Sequence, residues 1–296
     1  MSPAVALLKT VRPHQWVKNV FVAAPLVFSR HLTNPSYMVR TAVAVLAFSL
    51  LAGAVYCFND VRDVEADRAH PTKRMRPIAA GHLSQHAALT AAAVLASVAL
   101  AASFALSWKL GVVAAIYGTQ NVLYSLKLKE VAFVDVAMIA FGFVLRVLAG
   151  AYAIDVPASE WLIACTALLA LLLGFGKRAH ELAWATKNGT SAKTRGALAG
   201  YRLLPLKIAM YVLALATCVA YVLYARDAHT IEMFGTDRIV FSAPEVAIAI
   251  IRFIEIALNN DVDESPTEAM LKDPLFIAIL IAAAGTILYA IYGKHG

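Results

Sequence analysis

Charge is what this sequence has least of. Only 15% of its 296 residues are Asp, Glu, Lys or Arg, where a soluble domain carries about 25%. In exchange, 60% are hydrophobic and the mean hydropathy is +0.69. The apolar excess runs along the whole length, which excludes a soluble domain with a thick core and points to a lipid bilayer. Cysteine is scarce too. Cys57, Cys165 and Cys218 lie far apart inside apolar runs, with neither a disulfide framework nor metal-ligand spacing, so they read as small packing residues. The eight histidines form no metal-ligand cluster. The first 19 residues lack an apolar stretch before a small-residue cleavage site, so no cleaved signal peptide is expected. A net charge of +7 would suit nucleic acid, but the cations sit in short loops between apolar runs. That placement predicts membrane topology and anionic substrates instead, and no nucleic-acid partner.

What is present is a series of apolar runs near the length needed to cross a bilayer, roughly 20 residues. Nine are read: 20–35, 41–58, 87–107, 110–126, 132–154, 160–176, 207–225, 239–258 and 274–292. The first holds Pro25, and the eighth is interrupted by Pro244, Arg252 and Glu255. The expected fold is all-α: a polytopic membrane protein of nine transmembrane helices forming a single integral membrane domain over 1–296. Lysine and arginine divide 18 to 6 between alternate sides when the N-terminus is placed inside. By the positive-inside rule this predicts a cytoplasmic N-terminus and an external C-terminus in a plasma (inner) membrane. The long, charged loops after spans two and six then face the cytoplasm, and the chemistry is expected there. Homo-oligomerisation stays open.

Span two runs into Asn59-Asp60-Val61-Arg62-Asp63-Val64-Glu65-Ala66-Asp67. On a helix Asp60 and Asp67 lie about 20° apart, and Asp63 about 60° from Asp60. Arg62 and Glu65 point elsewhere. Three like charges on one stripe repel unless a cation neutralises them, and hard carboxylate oxygens suit Mg²⁺, which completes its shell with water and phosphates. The bland alternative is a solvated acidic helix end. Lys73, Arg74 and Arg76 follow in a loop bounded by Pro71 and Pro77. Taken alone they are ordinary positive-inside charge; beside a metal stripe they read as phosphate clamps.

Span six ends in Lys177-Arg178-Ala179-His180-Glu181, with Lys177 and Glu181 on one face. This is a helix-end salt bridge or a second half-site that offers cations and one carboxylate. Tyr124, Ser125, Lys127 and Lys129 at the inner end of span four add hydroxyls and charge. Arg146 and Arg252 fall inside spans, where charge is expensive and faces a polar interior or a partner. A cavity role and an ion pair, such as Arg252 with Glu255, are the two readings.

The run from Asn59 to Asp67 resembles the first signature of the UbiA superfamily of intramembrane prenyltransferases. The resemblance covers most of the chain and implies a nine-helix bundle with a cytoplasm-facing active-site cavity. The superfamily's second signature is usually Asp-x-x-x-Asp; here Lys-Arg-x-x-Glu stands in its place. The run Arg12-Pro13-His14-Gln15-Trp16-Val17-Lys18-Asn19, the segment NDVRDVEADRAHPTKRMRPIAAG, Lys177-Arg178-x-x-Glu181 and Arg146-x-x-Ala-Gly are similar to the decaprenyl-phosphate phosphoribosyltransferase branch. Pro266-Thr-Glu-Ala-Met-Leu-Lys-Asp273 resembles it more weakly. This implies transfer of 5-phosphoribose from phosphoribosyl pyrophosphate to a polyprenyl phosphate, giving a precursor of arabinose donors for cell-wall polymers. Residue pattern and resemblance together give the expected site: Mg²⁺ at Asp60, Asp63 and Asp67, and substrate contacts from Lys18, Asn59, Lys73, Arg74, Arg76, Tyr124, Lys127, Arg146, Lys177, Arg178, Glu181 and Arg252.

The chemistry suits such residues. A donor with a 5-phosphate and an acceptor with a lipid phosphate bring more negative charge than an aromatic acceptor would, and the inner face is correspondingly cationic. Two rivals are weighed. A prenyltransferase acting on an aromatic acceptor would want the missing aspartate pair. A transporter would use polar residues within spans and show internal repeats, yet the half-to-half similarity is weak and the carboxylates cluster on one side.

Overall fold

The computed structural model describes residues 1–187, 196–259 and 265–293, and among these all regular structure is helical. The helices are α1 (Pro3–Val11), α2 (Val20–Phe28), α3 (Pro35–Arg62), α4 (Val64–Ala69), α5 (Gln85–Leu106), α6 (Trp108–Leu126) and α7 (Val134–Ala153). They continue as α8 (Glu160–Lys187), α9 (Leu203–Arg226), α10 (Ala228–Phe234), α11 (Ala243–Asn259), α12 (Pro266–Ala269) and α13 (Pro274–Tyr292). Local chemistry sets the starts. Asn34 Oδ1 accepts from Ser36 N at 3.0 Å with Pro35 in the first helical position, which opens α3. Ser84 Oγ accepts from Ala87 N at 3.1 Å and opens α5. Such caps satisfy amides that have no partner within the helix.

Each of the nine predicted runs falls on a helix, but only six helices among the described residues are long and apolar enough to cross a membrane: α3, α5, α7, α8, α9 and α13. The first predicted span shrinks to the nine residues of α2, because the chain turns at Arg30, which takes a left-handed φ of 61°. The eighth is the 17-residue α11, which carries Glu245, Arg252 and Glu255. The fourth, α6, has 19 residues but includes Lys109, Thr119, Gln120, Asn121 and Ser125. The outward faces are apolar: α9 exposes Leu204, Ile208, Leu215 and Val219, and α13 exposes Leu275, Ile281 and Leu288. An apolar exterior of this kind is solvated by lipid tails. The chain is a multi-pass membrane protein.

The chain divides into two compact units. The first holds residues 1–27, 31–126 and 145–158. In it α3 packs along α5, α5 along α6, around Phe48, Leu51, Leu110, Ala114, Tyr117, Leu145 and Ala149. Small residues let these helices approach closely, which matters where no hydrophobic effect draws them together. Gly150 shows the limit: a Cβ there would lie 2.0 Å from the carbonyl oxygen of Val22. The second unit holds residues 28–30, 127–144 and 159–296, with α8 on α9 and α11 against α8, α9 and α13. Leu172, Met210, Phe253, Ile254 and Ala257 fill its core.

Candidate active site

The aspartate motif lies where α3 ends. α3 stops at Arg62 and α4 restarts at Val64, with Asp63 between them at φ −90°, ψ 8°. The expected uninterrupted helix is therefore broken at Asp63. Helical hydrogen bonds still cross the break, from Asp63 N to Asn59 O at 2.9 Å and from Asp67 N to Asp63 O at 2.8 Å. They keep Asp60 and Asp67 on one face. Both carboxylates are buried, at 2% and 4% exposure, while Asp63 is half-buried. Arg62 and Glu65 are exposed as the spacing predicts, and Arg62 donates to Leu126 O at 2.6 Å.

Two arginines neutralise the buried pair. Arg12 Nη2 donates to Asp60 Oδ1 at 2.5 Å, with its guanidinium 5.0 Å over the Tyr56 ring. Arg76 Nη1 lies 2.7 Å from Asp67 Oδ2 and 3.3 Å from Asp60 Oδ1, so one nitrogen touches both carboxylates. Arg76, expected as a phosphate clamp, is thus held by the aspartates themselves. Lys73 and Arg74 are exposed in a short turn, where the His70 ring accepts from Thr72 N and Lys73 N. Asn59 Oδ1 is buried with no hydrogen-bond partner among the described residues.

The same unit contains a second polar cluster. Arg146 is 7% exposed; its Nε donates to Asn19 Oδ1 at 2.9 Å and its Nη2 to Tyr117 OH at 2.7 Å. Asn19 in turn donates to Ser49 Oγ at 2.8 Å. The 3₁₀ segment Pro13–Asn19 is thereby pinned at Asn19, while Arg12 just ahead of it holds Asp60. Lys18 is half-buried on this segment. At the end of α6, Tyr124 is half-buried and the Ser125 hydroxyl donates to Asn121 O at 2.7 Å; Lys127, the first residue of the second unit's 127–144 segment, is exposed.

In the second unit the end of α8 departs from the sequence reading. Arg178 does not project as a phosphate donor; its side chain is 1% exposed, with Nε 2.7 Å from Asp135 Oδ2. Its Nη1 takes Glu181, so Glu181 pairs with Arg178 as well as sharing a face with Lys177. Tyr201 OH donates to Asp135 Oδ1 at 2.6 Å and accepts from Phe133 N at 2.6 Å. Burial, reinforced by the Asp135 hydrogen bond, pushes the Tyr201 phenol up from its ordinary pKa. Phe133 supplies that amide from a left-handed φ of 67°. Lys177, next to Arg178 in sequence, is half-buried.

Arg252 takes the ion-pair reading. It contacts Asp273 through Nη2 at 2.7 Å and Nε at 3.2 Å, and Glu255 at 2.9 Å. Asp273 also caps α13 by accepting from Phe276 N at 2.7 Å, so Arg252 ties α11 to the start of α13. Hydrogen bonds from Arg252 first, and from the Phe276 amide second, hold the Asp273 carboxyl below the usual carboxylate range.

Arg12, Asn19, Tyr117, Asp135 and Tyr201 belong to no chemical motif that local spacing marks. Only the run 12–19 carried a signal, as a stretch resembling the phosphoribosyltransferase branch. As for a metal, no three His, Cys, Asp or Glu side chains gather as a metal site among the described residues, but Asp60 and Asp67 offer hard oxygens that converge on one positive group, a pair that suits Mg²⁺, which takes one or two carboxylates and completes its shell with water and phosphates.

The UbiA prenyltransferase family matches residues 20–280, and the chain belongs to that family; it is a transferase. Decaprenyl-phosphate phosphoribosyltransferase of Mycolicibacterium smegmatis is 36% identical, covering 97% of this chain and 92% of that protein. Its counterpart in Corynebacterium glutamicum is 33% identical over 98% of this chain and 87% of that protein. Among solved structures, a UbiA homologue from Archaeoglobus fulgidus bound to DMAPP and Mg²⁺ superposes with a TM-score of 0.71 at 17% identity, covering 96% and 97% of the two chains. That likeness establishes the fold.

Proposed function

We propose that this chain, acting as one catalytic domain, transfers 5-phosphoribose from phosphoribosyl pyrophosphate to a polyprenyl phosphate. What carries the reading is the likeness to phosphoribosyltransferases over 97% of the chain. The bond from ribose C1 to the pyrophosphate oxygen breaks, pyrophosphate leaves with the electron pair, and a lipid phosphate oxygen forms the new bond to C1. The acceptor is already an anion, so no strong general base is needed. The prenyltransferase alternative is not favoured: the end of α8 carries Lys177, Arg178 and Glu181 where an aspartate pair would stand.

Asp60 and Asp67, with Asp63 at the helix break, would hold Mg²⁺. When bound, that ion offsets the charge gathering on departing pyrophosphate. In the first unit Asn59, Lys73, Arg74, Lys18 and Tyr124 would surround phosphate groups from the cytoplasmic side, in a nine-span arrangement of the plasma membrane with the N-terminus inside. Arg146, oriented by Asn19 and Tyr117, would face a phosphate from within the first unit. In the second unit Lys177 and Lys127 would each offer a cation to a phosphate group, and Arg178 would serve as a positioning residue through Asp135 and Glu181. Pyrophosphate release from purified protein tests the reading. It should require both substrates and a divalent cation and stop in EDTA; full turnover in chelator would remove Mg²⁺ from the proposal.

A further inference from the structure

Two buried carboxylates in an apolar protein cannot stand unpaired, because an isolated buried charge is far too costly. Asp60 and Asp67 meet this demand through Arg12 and Arg76. The placement is layered. The aspartate side chains are 3% and 5% exposed, while Arg12 and Arg76 are 24% and 29% exposed. Anything arriving from solvent therefore meets the guanidinium groups before the carboxylates. Both arginines precede a proline, Pro13 and Pro77, and the backbone there is restricted. Arg12 holds a left-handed φ of 55° and Arg76 an extended φ of −62°, ψ of 143°. Movement is left to the long side chains.

We propose that Arg12 and Arg76 are exchange cations: a divalent ion and these two guanidinium groups compete for Asp60 and Asp67, and the entry of a metal–diphosphate turns both arginines from the carboxylates onto diphosphate oxygens. The proposal rests on the reading of Asp60 and Asp67 as Mg²⁺ ligands. Charge is compensated at each stage. Two guanidinium groups cancel two carboxylates; one divalent ion then takes their place, and the two displaced cations offset most of the negative charge that the diphosphate brings. Arginine suits the second role as well as the first, since its planar fork pairs with phosphate as with carboxylate. Arg12 thereby becomes a donor-binding residue.

The signature is a pair of shifts of opposite sign. Mn²⁺ alone, followed by its paramagnetic resonance in detergent, serves as the metal probe, and inorganic pyrophosphate at saturating Mn²⁺ as the anion probe. Arg76→Gln and Arg12→Gln should each tighten Mn²⁺ binding by roughly 10-fold, because a competing closed state no longer masks the ligands. Each should weaken pyrophosphate binding by roughly 10-fold or more, the scale of a lost charge-assisted hydrogen bond. Without metal, Arg76→Gln should melt below the parent, and saturating Mn²⁺ should narrow the gap. Arg76→Lys, which keeps the charge, should fall between the two on both probes and serves where the glutamine variant does not fold. If folded arginine variants bind Mn²⁺ no more tightly than the parent while Asp67→Asn abolishes binding, the arginines are fixed staples; the exchange is overturned and the metal reading stands. If neither the parent nor any variant binds Mn²⁺, both are overturned.

Discussion

Asp60 and Asp67 are nearly sealed from solvent yet sit beneath two part-exposed arginines, and this defines what single substitutions should do. Asp60→Asn, Asp63→Asn and Asp67→Asn should each lower turnover by at least about 100-fold, the scale of losing one key electrostatic group; steady-state pyrophosphate release from folded protein checks it, and near-normal rates in all three would sink the metal assignment. Lys177 and Arg178, adjacent in sequence, should behave differently. Lys177→Ala should raise the KM for phosphoribosyl pyrophosphate by roughly 10-fold to 100-fold with the lipid KM little moved. Arg178→Ala leaves Asp135, which is fully buried, without its cation, a change that typically costs about 3–5 kcal/mol. Its main effect should be a lower melting temperature in detergent, and a normal melt with a raised donor KM would return Arg178 to the substrate. The acidic motif was legible because its spacing is local. The pairings were not: Arg12 and Asp60 are 48 residues apart, and Arg178 meets Asp135 across two helices. Such partners are chosen by packing, which periodicity does not encode.

At the scale of helices, every apolar run became a helix, since a span in lipid must satisfy its backbone internally. The ends were less legible. The sixth run stops at 176 where hydropathy stops, yet α8 continues to Lys187, because hydropathy registers the membrane and not the helix. The reverse holds for α2, where the apolar run outlasts the helix. Gly150 marks a contact that composition hides. Gly150→Val should destabilise the first unit, since the added side chain meets the Val22 carbonyl within 2.0 Å of its Cβ; a thermal melt should fall well below that of Gly285→Ala, where a Cβ meets open space. The Asp273–Arg252 link gives a pH dependence. A carboxyl held below its usual range adds stability that is present above the ordinary carboxylate pKa, about 3.9, and is lost as pH falls through the lowered value. The parent should therefore lose more stability than Asp273→Asn on acidification below about pH 4; parallel curves would contradict this.

For the whole molecule, topology and donor choice decide the account. Single cysteines at Ser84 and Lys109, in a background free of native cysteine, should react differently with an impermeant maleimide in intact cells. Lys109→Cys should label at once and Ser84→Cys only after permeabilisation, as the 18-to-6 charge asymmetry predicts; the reverse pattern would invert the orientation. The expected external C-terminus falls on residues 294–296, outside the described residues, as does part of the basic loop after α8. Fold and family together define a membrane transferase, and the claim beyond that concerns which donor it accepts. The most direct measurement gives purified protein, with Mg²⁺ and a polyprenyl phosphate, either phosphoribosyl pyrophosphate labelled in the ribose or a labelled prenyl diphosphate with an aromatic acceptor. Label should pass from the ribose donor into the lipid extract, with release of pyrophosphate, and none should move from the prenyl donor. A protein that ignores phosphoribosyl pyrophosphate and consumes the prenyl diphosphate would contradict the account.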